Sequence, residues 1–151
     1  MYTIWQKEHL MPKEWIEAYS LHNETIDTQH KELFNLANKV EALDSKTASK
    51  EQLGILLKEF FNYMKEHFKD EEAYMQSIDY PIMNQHCKLH ESIIEQMTLT
   101  LKLSKGIEVL QAKIKEVSHQ WLVEHILKHD LKIEKWRKGI SVEPNELHTI
   151  T

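Results

Sequence analysis

Cysteine is all but missing. Cys87 is the only one in 151 residues, so no disulfide can form within the chain, and the composition suits a reducing compartment, the cytoplasm. Glycine and proline are scarce as well, three of each, which argues against a turn-dense β architecture and favours long uninterrupted helices. No apolar run approaches the roughly 20 residues of a membrane helix. The N-terminal MYTIWQKEHLMPKEW has no basic stretch followed by an apolar one, so neither membrane insertion nor secretion is expected. A basic excess is lacking too. The net charge is −5, with lysines and acids interleaved, which leaves no basic stripe for nucleic acid. What the chain has in plenty is histidine, ten of them, at positions 9, 22, 30, 67, 86, 90, 119, 125, 129 and 148.

Its length suits one domain, 1–151, with a core over about 23–137. Residues 1–22 read as an irregular arm whose aromatics, Trp5, Trp15 and Tyr19, pack on the rest. A first helix is predicted from Asn23 to Leu43, with Ile26, His30, Leu33, Ala37 and Val40 on one face. After a break at Asp44-Ser45-Lys46-Thr47, Ser49 with Gln52 forms a capping-box signature that opens the second. On or near its inward stripe lie Leu53, Leu56, Phe60, Tyr63, Met64, His67, Glu71 and Met75. Asp79-Tyr80-Pro81 stops that helix, and Pro81 suits the first position of the third. The third has the cleanest period: Ile82, Met83, His86, His90, Ile93, Ile94, Met97 and Leu101, with Gly106 expected to end it. A fourth runs from about Glu108 to Arg137, and Gly139–Thr151 reads as a short tail. Four amphipathic helices with short links imply an all-α, up-down-up-down four-helix bundle.

Polar residues of metal-ligand type interrupt those apolar stripes. Helix one carries His30, helix two the i,i+4 pair His67 and Glu71, helix three the i,i+4 pair His86 and His90, and helix four His125. Residues four apart share a helix face, so each pair can grip one site. An unpaired imidazole or carboxylate in a core costs several kcal/mol. One such histidine is usually a satisfied core residue. Five, spread over four helices, call for a common compensation, and a metal cluster supplies it.

The segments Asp27-Thr28-Gln29-His30-Lys31-Glu32-Leu33-Phe34, His67-Phe68-Lys69-Asp70-Glu71, His86-Cys87-Lys88-Leu89-His90 and Trp121 to Asp130 (WLVEHILKHD) resemble hemerythrin in its bacterial single-domain form. The resemblance spans roughly residues 15–135, with the motifs in order. It implies a further ligand. Spacing alone offers His129 as the i,i+4 partner of His125, whereas the family pattern uses Asp130. Five residues is about 140° around an ideal helix, so Asp130 must reach in from the side or the helix must be deformed.

By the same resemblance, two iron ions (Fe2+/Fe3+) sit side by side. His86, His90 and His125 bind one, and His30 and His67 bind the other. Glu71, Asp130 and a bridging oxo or hydroxo group join them. The second iron then keeps an open position for dioxygen, and Leu33, Phe68, Trp121, Leu122 and Ile126 are placed to wall a dry pocket. The resemblance implies reversible oxygen binding for transport, storage or delivery, without catalysis. The other readings are an oxygen or redox sensor, for which the length leaves no room for an output domain, and a di-iron enzyme acting on peroxide or nitric oxide. Monomer and homo-oligomer are equally open.

Several histidines fall outside the ligand set. His129 either turns to solvent or sets a proton donor beside the site, and His22 either packs in the arm or lines an access route. His9, His119 and His148 are expected at the surface, and Cys87 points away from the ligands as a plain thiol.

Overall fold

A computed structural model describes residues 14–143. Three helices, α1 (Glu24–Ala42), α2 (Lys50–Ser77) and α3 (Met83–Leu103), are followed by a longer rod made of three continuous parts. These are α4 (Ile107–Ser118), a π-helical stretch (His119–Asp130) and α5 (Leu131–Arg137). Helix α1 packs on α2 and on the fourth rod, and α3 packs on the same two, giving an all-α four-helix bundle. No strand occurs among the described residues. No helix among them is long and apolar enough to cross a membrane.

The helix starts follow local chemistry. Asn23 caps α1 by accepting from Ile26 N, 3.1 Å away. Ser49 and Gln52 make the reciprocal capping box at α2, the kind of cap whose loss costs about 1 kcal/mol. Gln111 Nε2 donates to the Val40 and Leu43 carbonyls, satisfying acceptors that the end of α1 leaves orphaned.

Two boundaries differ from the sequence reading. Pro81 does not begin the third helix: residues 81–82 form a turn after Asp79, whose φ is 52°, and Ile82 is the cap. Gly106 does not close that helix either. Ser104 ends α3, and Gly106, at φ 84° and ψ 155°, opens α4 with its carbonyl accepting from Leu110 N. Only glycine adopts that backbone cheaply, so either helix end could have claimed it on sequence grounds.

Of the arm, only residues 14–22 are described, with one 3-10 turn at Glu17–Tyr19. Trp15 and Tyr19 pack against the core as expected. Trp5, His9, His148 and the rest of the tail beyond Glu143 lie outside the described residues.

The apolar interior is in two parts. The larger includes Leu33, Ala37, Phe60, Met64, Ile93, Met97 and Leu122. The smaller is Leu21, Ile26, Met75, Tyr80 and Ile133. On α1 the buried His30 falls between Ile26 of the smaller cluster and Leu33 of the larger, and on α3 His86 and His90 lie between Met83, packed on the smaller, and Ile93 of the larger. On α2 the buried stripe also takes Leu57, while Leu56 and Tyr63 pack partly buried at its margin.

Candidate metal centre

The structure brings all seven predicted residues together. His30 comes from α1, His67 and Glu71 from α2, His86 and His90 from α3, and His125 and Asp130 from the π-helical stretch, all buried. Glu71 is wholly enclosed and divides its two oxygens. Oε1 faces His86 Nε2 at 2.7 Å and His90 Nε2 at 3.1 Å, while Oε2 faces His67 Nε2 at 3.2 Å and His30 Nε2 at 3.5 Å. Asp130 does the same, with Oδ1 at 3.0 Å from His125 Nε2 and 3.1 Å from His86 Nε2, and Oδ2 at 3.3 Å from His30 Nε2. Two groups of potential ligands result: Glu71, His86, His90, His125 and Asp130 in one, and His30, His67 and Glu71 in the other.

The helix form explains how Asp130 arrives. A π-helix bonds each N–H to the carbonyl five residues back, so the residue five on stands where an α-helix would put the fourth. Leu131 N–H still reaches back to Ile126 O at the end of the stretch. His125 and Asp130 therefore share a face, and deformation rather than a sideways reach is what occurs. The stretch begins where buried Ser118 turns its Oγ onto the Ile114 carbonyl at 2.5 Å, a back-bond of the kind that bends helices.

Several of these close approaches are not hydrogen bonds. His30 Nε2, His125 Nε2, Glu71 Oε2 and Asp130 Oδ1 are buried and lack a hydrogen-bond partner. They converge on shared points in space rather than on one another, as donor atoms around a cation do. Electrostatics agree. Burial alone would lower His30 and His86, but Asp130 and Glu71 outweigh it and push them up to about 9 and about 10. His90 is raised in the same way by Glu71 and Glu72. Burial opposes ionisation of Glu71, yet the surrounding imidazoles hold it well below the usual carboxylate range. Asp130 lies well below it too, against burial and the charge of Glu71, because of His125 and His30. Burial pushes His67 and His125 down. Two buried carboxylates thus draw positive charge to the centre of the site. Imidazole and carboxylate donors in this number suit first-row transition metals.

Sequence reasoning missed a second layer. His67 Nδ1 donates to Gln29 Oε1 at 2.8 Å, and Gln29 Nε2 donates to Asp70 Oδ2 at 2.7 Å. His90 Nδ1 donates to Glu72 Oε1 at 3.0 Å. The available signal was position: Gln29 precedes His30, and Asp70 and Glu72 flank Glu71. The neighbour of an inward residue turns toward the adjacent helix, where these residues find the next histidine.

Leu33, Phe68, Trp121, Leu122 and Ile126 are all buried in the larger apolar cluster. Phe68 stacks on His90 with centroids 3.8 Å apart, and its ring lies 5.8 Å from that of His67. Trp121 also walls a cavity of about 530 Å³ between α3 and the fourth rod, lined in part by Tyr80, Leu89, His86, His125 and His129. This cavity meets the three-histidine group, not His30 and His67.

His129 is neither fully outward nor beside the two-histidine group. It is half-buried in that cavity, 5.2 Å from the His125 ring, and burial with the neighbouring imidazole charges pushes it down to about 4. His22 packs at the surface, 3.1 Å from Glu134. His119, expected at the surface, is half-buried. Cys87 is a free thiol, pushed up to about 11 by burial and by Glu72.

Fold and site together define a helical bundle with a buried histidine–carboxylate cluster able to hold metal. Residues 21–136 match the sequence model of the hemerythrin HHE cation binding domain. Relatives include a bacteriohemerythrin of Campylobacter jejuni, 32% identical over 118 residues, covering 78% of this chain and 89% of that one. A myohemerythrin of Theromyzon tessulatum is 32% identical, with 80% and 90% covered. Hemerythrin subunit alpha of Lingula anatina is also 32% identical, with 80% and 92% covered. The chain belongs to the hemerythrin family.

Proposed function

We propose that the seven residues hold two irons and that the protein binds dioxygen reversibly, for transport, storage or delivery. The observation that carries this reading is the division of Glu71 and Asp130, each presenting one oxygen to either histidine group. Two cations close together repel, and two shared carboxylates offset that repulsion while setting the separation. His86, His90 and His125 would hold one iron and His30 and His67 the other, with an oxo or hydroxo group completing the bridge. The unequal histidine count leaves room for a ligand at the two-histidine end. Bound there, the iron pair would lend two electrons to dioxygen and recover them on release.

The chain's own residues supply the rest. Five neutral imidazoles against two carboxylates leave the centre more positive than a carboxylate-rich one, which disfavours high oxidation states and hence oxidation of substrates. Leu33, Leu122 and Ile126 exclude water, and a dry site keeps out protons and reductants that would make oxygen binding irreversible.

The test is an optical spectrum of reduced protein under argon, then air, then argon again. A nearly colourless ferrous form should gain a visible charge-transfer band in air and lose it on deoxygenation, over several cycles. Direct passage to the ferric state, with no oxygenated species at millisecond resolution, would instead indicate a redox sensor or an enzyme.

A further inference from the structure

The two histidine groups differ in more than number. Behind His90 stands a carboxylate, Glu72, and behind His67 stands an amide, Gln29. An ionised carboxylate only accepts, so Glu72 takes the Nδ1 proton of His90, and Nε2, 3.1 Å from Glu71 Oε1, is the nitrogen whose lone pair a metal would take in place of its proton. The Gln29 amide is oriented by its donation to Asp70. Its Oε1 must therefore accept from His67 Nδ1, which again leaves the inward Nε2 as the nitrogen for a metal. Both imidazoles would thus meet a metal as the same Nδ1-protonated tautomer, one held by a full negative charge and the other by a neutral dipole. No such partner stands behind His30, whose Nδ1 is buried without a hydrogen bond.

A charge-assisted hydrogen bond is about twice as strong as a neutral one. It draws the Nδ1 proton outward and makes Nε2 a stronger electron donor to a bound metal. We infer that Glu72 and Gln29 are positioning residues that make the two metal sites electronically unequal, with Glu72 favouring the higher oxidation state at the three-histidine site and Gln29 withholding that support at the other. The inference rests on the proposed pair of irons. It adds a division of labour: the filled site is held toward ferric, and the site left open for a ligand stays closer to ferrous.

Glu72→Gln keeps an acceptor and removes only the charge. The expected result is two irons per chain as before, but about tenfold less preference for ferric over ferrous iron. That corresponds to a rise of about 59 mV in a one-electron midpoint potential. Gln29→Glu paired with Asp70→Asn, which avoids setting two carboxylates together, should move a potential down instead. Glu72→Ala, losing the acceptor altogether, should weaken iron binding by about 10- to 100-fold in chelator competition.

Potentials unchanged in both charge variants, with iron content and melting intact, would overturn the inference while leaving the di-iron reading in place. Shifts of the same sign in both would also overturn it. Failure of the unmodified protein to hold two irons would remove both.

Discussion

Glu71 is the residue on which the site depends most, since it faces four imidazoles at once. Its loss leaves His67 and His90 Nε2 without a carboxylate and His30 and His86 with Asp130 alone, and breaking a buried charged pair costs about 3–5 kcal/mol. Glu71→Ala should therefore strip most of the iron and lower the melting temperature, whereas Cys87→Ala should do neither. Iron assay and thermal melts separate the two, and retention of both irons by Glu71→Ala would remove the bridging role. At Leu122, 1% exposed, truncation to alanine should cost about 2–5 kcal/mol. Iron content should hold, and the oxygenated form should decay faster as water gains access. If decay is unchanged, Leu122 is packing and nothing more.

Among the elements, the π-helical stretch is the one that makes chemistry possible, by bringing His125 and Asp130 onto one face. A single-residue deletion tests this directly. Removing His129 turns that pair into an i,i+4 pair, which an ordinary α-helix places together. The shortened rod should relax toward α-helix and keep its iron. Loss of iron from a folded deletion variant would mean that the π geometry supplies more than register. The capping box at Ser49 lies far along α2 from the ligands, so Ser49→Ala should lower stability by about 1 kcal/mol and leave iron content unchanged.

For the molecule as a whole, the buried cluster couples folding to pH differently with and without metal. In metal-free protein, His30 and His86 are raised to about 9 and about 10. The stability they contribute is fully present below the ordinary histidine value of 6.5 and is lost as pH rises through 9 to 10. Glu71 and Asp130 are depressed, so their contribution holds above their usual values and is lost as pH falls through the lowered ones. His67 and His125, also lowered, subtract stability once pH drops below 6.5. Metal-free protein should therefore be most stable near pH 6.5 and weaken steadily toward pH 10. Bound metal displaces those protons, so the loaded protein should keep its stability on the alkaline side and lose metal and fold together in acid. Urea midpoints at pH 5, 6.5, 8 and 10 would show this. Matching profiles for the two forms would sink the claim that metal compensates the buried ligands.

The four amphipathic stripes, the Ser49 cap and six of the seven clustered residues were legible in the sequence because each depends on helical spacing or on a contact within a few residues. Asp130 needed the family pattern, since the i,i+4 rule points to His129 and periodicity cannot register a change from α- to π-helical bonding. Gly106 was read as the wrong helix end because φ and ψ, not residue type, decide which helix a glycine serves. Gln29 and Glu72 became visible only once neighbouring helices set them against His67 and His90. The sequence by itself determined which faces are buried and which chemistry they carry, because both are written in one helix at a time. Only the tertiary structure decided how each carboxylate divides its oxygens and what stands behind each imidazole, because those are contacts between helices.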